Sequence, residues 1–426
     1  MPGGKFDRMS AGSDVAQIQP AGDGSHGIFI VRHLPPYGYR VYRQVETNPP
    51  ESTVRVSSDG TTLENANLLV TIDAATGCIT NLLDKRTQRQ IVRNGGSANR
   101  LEIHWERLDG MSAWNIGPID HVEVVNSTGT IKVAETGPAR VAVEVTRKWR
   151  ENTIIQRVAL TAGGDMVDCS LNVDWKETGD QNRLSPDLRL AFDLDLKDPV
   201  VNYDIPFGNV ARPADGREYP MVKWVDLSAT DYGFSLINDC KHGLSVKDGV
   251  LRWTIIRTPC NPDSHSDCYP QVINYALYPH TGDWRAARVD ARGIAFLHPV
   301  LTAVAAGGGN ADLPAECSFI RSGSPNVLIT CVKRAEDDDD LVVRCYESQG
   351  RKGSANLSTY WTVRKARTAN FVEDVQPGSA DVVAQGGKTV SADMRGYEIR
   401  TMKLALRPLP GVTLSGTRGG GPPRSY

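Results

Sequence analysis

Residues 166–175 have the sequence MVDCSLNVDW, and this stretch decides the fold class. Apart from Met166, its polar side chains alternate with the apolar ones at 167, 169, 171, 173 and 175. A side-chain period of two is typical of a strand with one face in a core and the other in solvent. The stretch therefore predicts a half-buried strand of an antiparallel sheet.

The same alternation recurs on either side of this strand. Valines occupy 141, 143 and 145 within 139–149, and Leu or Phe occupies every second position of 188–196. Gly-containing turn signals stand between such runs, at 75–77, 162–165, 247–249 and 385–387. No long amphipathic helix pattern is present in the sequence. The chain is therefore predicted to be all-β and built of antiparallel β-sandwiches.

The overall composition excludes several classes of protein. The chain has 426 residues, of which 40% are hydrophobic and 23% are charged, which fits a globular protein rather than a disordered one. Its 48 Lys and Arg nearly balance its 50 Asp and Glu, giving a net charge of -2. This balance, and the lack of any apolar stretch near ~18 residues, predicts no nucleic-acid partner and no membrane association.

A change of composition at 305–310, AAGGGN, indicates a boundary. The shorter strand-like runs 318–321, 327–333, 341–347 and 355–363 follow it and suit a separate small sandwich. The predicted organisation is a flexible tail at 1–26, an opening strand and linker at 27–60, a large β-sandwich at 61–306, a small one at 307–410 and a second flexible tail at 411–426.

The eight cysteines and the first residues bear on the compartment. Residues 1–26 contain no apolar core, so they do not form a secretory signal. Eight cysteines are too sparse for a disulfide scaffold, which predicts reduced thiols and a cytoplasmic location. The alternative is an exported protein whose leader is missing.

Two stretches suggest metal sites. Cys260, His265 and Cys268 are three soft ligands within nine residues, but a closed zinc site needs four, so we favour an ordinary loop. A Cys260–Cys268 disulfide is a less favoured reading. The acidic run 335–340 could bind calcium, but we favour a solvated hairpin tip between 327–333 and 341–347.

Trp114 differs from most of the eight tryptophans because it lies in a segment with a loop composition, LDGMSAWNIG at 108–117. An aromatic side chain on a loop can stack on a sugar or anchor an interface. The alternative is a tryptophan that plugs the end of the sandwich, and composition alone does not separate the two.

Together with this loop, several stretches resemble the C-terminal half of glycoside hydrolase family 38, the α-mannosidase family, in its bacterial form. The likeness extends from about Gly27 to about Leu406. The stretches that carry it, in order, are 31–40, 63–73, 77–85, 113–116, 173–175, 205–213, 224–228, 233–239, 241–243, 275–280, 332–333, 346–347, 371–373 and 398–401. One departure is DCYP at 267–270, where the family more often has a Gly-containing loop.

The resemblance implies a fold for this chain and a location for the family's catalytic residues. The large sandwich is expected to be a galactose-mutarotase-like supersandwich, followed by the smaller C-terminal sandwich. Family members carry a catalytic zinc and an aspartate nucleophile in an N-terminal α/β domain, which is expected to be missing from this chain. We therefore expect no catalytic residue and no metal or other cofactor here. By position, the family's aromatic loop residue matches Trp114, although many members have tyrosine there. An arginine that follows a glycine of a later strand matches Arg212. The resemblance implies that both residues line the sugar pocket.

The function implied is that of a β-subunit or C-terminal part of an α-mannosidase-like glycosidase, inactive by itself. It would complete the pocket of a separately encoded catalytic α/β domain that binds a mannose-type glycoside. Assembly of this chain into a homo-oligomer is a further possibility. The alternative is a stand-alone carbohydrate-binding or structural β-protein that has lost catalysis.

Overall fold

The structure, a computed structural model, describes residues 8–11, 14–20, 27–45, 52–304, 313–376, 383–385 and 387–407. These residues form two compact units, one from the positions up to 33 and from 41 to 304, the other from 34–40 and the positions from 313 onward. The boundary predicted at 305–310 and the tail predicted at 411–426 lie outside the described residues.

Strands account for nearly all of the regular structure. Those before the first large sheets are β1 Arg8–Ala11, β2 Asp14–Gln17, β3 Gln19–Pro20, β4 Gly27–Ile28, β5 Gly38–Arg40, β6 Arg43–Val45, β7 Arg55–Val56, β8 Thr62–Glu64, β9 Leu68–Ile72, β10 Ile79–Asp84 and β11 Arg89–Gln90. The next are β12 Arg100–Glu106, β13 Ile119–Val124, β14 Thr130–Thr136, β15 Arg140–Trp149, β16 Asn152–Thr161, β17 Val167–Asp174, β18 Ser185–Asp193, β19 Val200–Ile205 and β20 Gly208–Arg212.

The remaining elements complete the first unit and form most of the second. They are β21 Asp215–Pro220, β22 Trp224–Ser228, β23 Tyr232–Asn238, β24 Gly243–Lys247, β25 Val250–Ile256, β26 Pro270–Thr281 and the helix α1 Val289–Leu297. Then follow β27 Glu316–Ser318, β28 Ile320–Ser322, β29 Val327–Arg334, β30 Leu341–Glu347, β31 Gly353–Thr359, β32 Val363–Ala369, β33 Val383–Gln385, β34 Thr389–Met394 and β35 Ile399–Leu406.

Two large antiparallel sheets dominate the first unit. One has six strands in the order β13-β12-β18-β25-β24-β21, and the other has nine in the order β14-β15-β16-β17-β26-β23-β22-β19-β20. A five-stranded sheet, β11-β10-β9-β8-β7, accompanies them. The all-β prediction is confirmed, with α1 as the single helix among the described residues.

The core lies between the two large sheets. Leu188, Leu190 and Phe192 of β18 point into it, and the ring of Phe192 lies 6.3 Å from that of Phe234 on β23. Trp253 of β25 similarly meets Tyr275 of β26 at 5.3 Å. Because side chains alternate along a strand, the residues between these on β18 face away from the core.

The second unit is a small sandwich with its own core. Its sheets are β28-β31-β34-β33 and β29-β30-β35-β32, and Val343, Leu357 and Met402 are among the residues buried between them. The acidic run forms the tip of the β29–β30 hairpin, as predicted, where the backbone of Ala335 donates to Asp340 O at 2.8 Å.

Three segments differ from the sequence-based expectation. Strands β1 to β3 lie within the stretch taken as a tail, and β1 pairs with both β2 and β6. The single strand expected at 355–363 is divided at Thr359, whose hydroxyl donates to Trp361 O and closes a turn. The helix α1 has no side-chain cap and packs Gly293 against Trp224, so tertiary contact rather than a local signal accounts for it.

Candidate functional site

Trp114 lies in the connection between β12 and β13, residues 107–118, which we call the Trp114 loop. Its side chain is 67% exposed, and Met111 and Ile116 of the same loop are exposed as well. The backbone NH of Trp114 donates to Met111 O at 3.0 Å and closes a turn. Such exposure does not fit a tryptophan that plugs the end of the sandwich.

An ion pair at the end of β12 holds the Trp114 loop in place. Glu106 is fully buried and accepts two hydrogen bonds from the Nη2 of Arg257, at 2.6 and 2.8 Å. Its Oε1 also accepts from the backbone NH of Gly117 at 2.5 Å, and Arg257 Nη2 donates to Asn115 O at 3.2 Å. The pair therefore ties the returning half of the loop to the sheet.

The opposite side of the Trp114 loop is joined to the loop after β25. Ser112 Oγ accepts from the backbone NH groups of Cys260 and Asn261, at 2.9 and 3.1 Å. The NH of Ala113 donates to Asn261 O at 2.9 Å, and Asn261 Nδ2 donates to Gly110 O at 3.1 Å. These bonds make the two loops one structural unit with Trp114 on its surface.

The suggested zinc ligands are not gathered into a site. Cys260 and Cys268 are unpaired thiols, and His265 Nδ1 lies 2.9 Å from Ser264 Oγ. Among the residues that the structure describes, no group of three or more His, Cys, Asp and Glu could hold a metal ion.

Arg212 is the last residue of β20 and is half-buried. Its guanidinium lies over the rings of Tyr203 and Tyr219, at 5.1 and 5.5 Å from their centroids, and its Nη1 donates to Pro220 O at 2.5 Å. Part of its hydrogen-bonding capacity is thus committed to the protein.

The strand register relates the two predicted site residues. Pro220 of β21 pairs with Gly243 of β24, and Glu106 of β12 pairs with Ser185 of β18. Both pairs lie at the same end of the six-stranded sheet. The Trp114 loop and the Arg212 guanidinium therefore border this end, but β12 and β21 are four strand positions apart, about 19 Å in an ideal sheet. Arg212 contacts two tyrosines, whereas the backbone of Trp114 bonds to Met111 within its own loop.

A layer of charged side chains that the sequence did not reveal covers the outer face of the six-stranded sheet. Its members alternate with core residues along their strands, and we call the set the charged face. It consists of Arg100, Glu102, His104 and Glu106 on β12, Asp187, Arg189 and Asp193 on β18, Glu218 on β21, Arg252 on β25 and Arg257 just after β25.

Glu102 is the centre of one half of the charged face. It accepts from Arg100 Nη2 and Arg252 Nε, both at 2.9 Å, and lies 3.0 Å from His104 Nε2. Burial alone would raise the pKa of Glu102, but the His104 contact and the Arg252 and Arg100 charges hold it at about 2. Burial lowers the pKa of His104, and the charge of Arg189 adds to this, so the imidazole is neutral at pH 7.

Asp187 lies in the other half, beside Glu106. Burial, and then the charge of Glu106, raise the pKa of Asp187 well above its usual value, against the opposing charges of Arg189 and Arg257. Asp187 resists losing its proton because burial disfavours its charged form and like charges in a desolvated site repel each other.

Comparison with known proteins identifies relatives for both units. Residues 63–265 match the model of the "Glycosyl hydrolases family 38 C-terminal domain", and residues 326–402 match that of the "Glycosyl hydrolases family 38 C-terminal beta sandwich domain". Together these matches cover about two thirds of the chain.

Comparison with whole proteins also identifies α-mannosidases as relatives. "Alpha-mannosidase 2C1" of Mus musculus is 27% identical over 91% of this chain and 38% of its own length, and "Alpha-mannosidase G" of Dictyostelium discoideum is 27% identical over 71% and 29%. The chain thus spans about a third of these curated relatives. A solved family 38 structure from Enterococcus faecalis, 16% identical, superposes with a TM-score of 0.71 over 89% of this chain and 48% of its own, which shows the shared fold.

Proposed function

Because the chain belongs to the C-terminal, β-sandwich part of glycosyl hydrolase family 38, we propose that it completes the sugar pocket of an α-mannosidase-like glycosidase. The pocket would be shared with a catalytic α/β domain that supplies the chemistry. The names of the relatives support a mannose-type substrate, and the third of their length that this chain spans supports a part rather than a whole enzyme.

The observation that carries this proposal is the exposed Trp114 on a loop held from two sides. An aromatic ring offers an apolar face on which the C–H face of a sugar can stack, and a loop fixed by hydrogen bonds presents that ring at little entropic cost. Glu106 and Arg257 hold one side of the loop, and Ser112 holds the other. The arrangement suits a binding platform.

Arg212 would contribute hydrogen bonds rather than stacking. A guanidinium carries five N–H donors, and in Arg212 one of them, on Nη1, donates to Pro220 O. The tyrosine rings beneath it fix its plane. We propose that its outward N–H groups meet sugar hydroxyls or a surface of the catalytic domain.

The chemistry is assigned to the catalytic domain. A retaining glycosidase needs two accessible carboxyl groups about 5–5.5 Å apart across the sugar. Glu106 and Asp187 neighbour each other but are fully buried within the charged face, so we assign neither of them to catalysis. The family's zinc would likewise be held by the catalytic domain.

A cytoplasmic location belongs to the same proposal. None of the eight cysteines is paired, as is usual where thiols stay reduced. No helix in the described part of the chain is long and apolar enough to cross a membrane.

The proposal is tested with the chain alone. We expect no hydrolysis of 4-nitrophenyl α-D-mannopyranoside, even with added zinc, because the acid, nucleophile and metal lie elsewhere. Zinc-dependent turnover that a single Asp or Glu substitution in this chain abolishes would overturn it. If the chain is instead a stand-alone binding protein, it should bind sugar with the same affinity whether or not a catalytic domain is present.

A further inference from the structure

The second unit includes a short segment that lies far from the rest of that unit in the sequence. Residues 34–40 have the sequence LPPYGYR, and we call them the Pro-Tyr segment. The chain on either side of the segment belongs to the first unit, and the rest of the described second unit starts at 313. The hydrogen bonds of the segment therefore join residues as much as 292 positions apart.

The backbone of the Pro-Tyr segment adds a strand to the second unit. Its last three residues form β5, which pairs antiparallel with β27. These two strands make up the whole of their sheet, so among the described strands β27 has no other partner. The NH of Phe319 donates to Tyr37 O at 3.1 Å, and Ser318 Oγ donates to Pro36 O at 2.6 Å. Addition of an extended segment to the edge of a strand is a common mode of peptide binding.

An aromatic cluster of the second unit receives Tyr39. The ring of Tyr39 lies 5.9 Å from that of Phe319, which stacks in turn on Trp361 at 5.3 Å. The hydroxyl of Tyr39 donates to Pro314 O at 2.5 Å, so the polar end of the ring is paired as well. Aromatic side chains often bind proline-rich segments, because prolines such as those at 35–36 restrict the unbound chain and reduce the entropy lost on docking.

The fit of the Pro-Tyr segment depends on its sequence. A Cβ on Gly38 would lie 1.9 Å from the backbone oxygen of Cys317, so a larger residue requires the two strands to move apart. Tyr37 has a φ of 47°, which is unfavourable for a bulky residue, and its hydroxyl donates to Ile329 O. The conformation of the segment is therefore imposed by its contacts with the second unit, as that of a bound peptide is.

We propose that β27, Phe319 and Trp361 form a binding site for an extended peptide of the Pro-Pro-Tyr-Gly-Tyr type, and that the Pro-Tyr segment is the resident ligand of this site. The site is separable from its ligand, so a free peptide of the same sequence binds when the resident segment is displaced. It does not involve Trp114 and stands independently of the sugar pocket proposed above.

The test uses the whole chain and a fluorescent synthetic peptide of residues 33–41. Gly38→Val in the chain should displace the resident segment, because its side chain meets the backbone of β27. By fluorescence anisotropy, we expect this variant to bind the peptide at least tenfold more tightly than the unaltered chain does. In the unaltered chain the tethered segment competes at an effective concentration on the order of millimolar. A peptide that itself carries Gly38→Val should not bind.

A second variant and a second measurement allow for poor folding of Gly38→Val. If this variant melts at a lower temperature, the peptide should raise its melting temperature, since a ligand stabilises the state that it binds. Arg40→Gln is milder, because it removes the bond from Arg40 Nε to Glu316 Oε2 at 2.7 Å and leaves β27 unobstructed. It should bind the peptide more tightly than the unaltered chain and less tightly than Gly38→Val.

Gly179→Val is the matched control in the first unit. A Cβ on Gly179 would lie 2.1 Å from the backbone oxygen of Pro259, so the substitution causes a similar clash far from β27 in the sequence. It should not increase peptide binding. Absence of binding to both Gly38→Val and Arg40→Gln overturns the proposal. Equal binding to Gly179→Val and Gly38→Val, or equal binding of the two peptides, also overturns it.

Discussion

Trp114 has a largely exposed side chain and a backbone held by a hydrogen bond, so its substitution gives the clearest test at a single residue. Trp114→Ala should change the stability of the chain by no more than about 0.5 kcal/mol, as surface substitutions do. It should weaken binding to the catalytic domain or to sugar by ~2 kcal/mol or more, as the truncation of an interface anchor does. A thermal melt beside a binding titration measures both.

The neighbouring Met111→Ala is the control for this change, because it is also exposed on the same loop. It should leave both quantities nearly unaltered. A loss of ~3–5 kcal/mol of stability in Trp114→Ala, which is the cost of removing a core tryptophan, would contradict the account.

Asp187 gives a prediction about pH. Because burial raises its pKa in the folded chain above the unfolded value of about 4, the folded state holds a proton that the unfolded state releases. The contribution of Asp187 to the free energy of unfolding therefore falls as pH rises from about 4 towards the folded pKa. Asp187→Asn cannot ionise, so its stability relative to the unaltered chain should rise over that range in urea unfolding.

Asp215→Asn provides a control of opposite sign. The pKa of Asp215 is lowered, first by the hydrogen bond from the backbone NH of Arg217, so its carboxylate stabilises the fold above about pH 4. Relative to the unaltered chain, this variant should lose stability as pH rises from the lowered pKa to about 4, and the difference should stay constant at higher pH. If the relative stability of Asp187→Asn instead falls with rising pH below about pH 4 and is constant above it, as for Asp215→Asn, Asp187 is ionised in the folded chain.

Among the elements, the Trp114 loop depends on Arg257. Arg257→Lys keeps the charge but loses the forked contact with Glu106 and the bond to Asn115 O. We expect ~3 kcal/mol or more of lost stability, because the buried Glu106 carboxylate is left poorly paired. Hydrogen exchange at the Gly117 NH should accelerate at the same time.

Arg107→Lys is the matched control, since Arg107 pairs with Asp120 on the surface at 3.0 Å. A surface ion pair is worth ~0–1 kcal/mol, so this change should matter little. Equal effects of the two variants on stability and on exchange would show that the Glu106–Arg257 pair does not hold the loop.

The strands were foreseeable because the alternation of apolar residues is a local property. The run 166–175 contains β17, and the hairpin tip at 335–340 follows from its composition. The charged face was not foreseeable, because Arg252 meets Glu102 across 150 positions of sequence and only the register of β12, β18 and β25 aligns them. By alternation alone these residues were expected to face solvent, whereas several of them bury each other.

The candidate site also combines features that are local in the sequence with features that depend on strand register. The exposure of Trp114 agrees with its loop composition, but the buried pair beneath its loop leaves no local trace in the sequence. Arg212 is named by resemblance, and its tyrosine neighbours come from strands whose register a single sequence does not reveal.

For the whole molecule, we predict that the chain binds no stoichiometric zinc. Cys260, His265 and Cys268 offer at most three ligands, and a structural site requires four. Metal analysis of protein purified without chelator should find less than one zinc per chain. One tightly held zinc that disappears in Cys268→Ser would contradict the prediction.

The central claim is that this chain completes a sugar pocket whose chemistry another domain supplies. The most direct measurement is the kcat/KM of the proposed catalytic α/β domain for an aryl α-mannoside, with and without this chain. We expect activity to require this chain and to fall at least tenfold with Trp114→Ala, which corresponds to ~1.4 kcal/mol or more of transition-state stabilisation. Equal activity with and without the chain would contradict it.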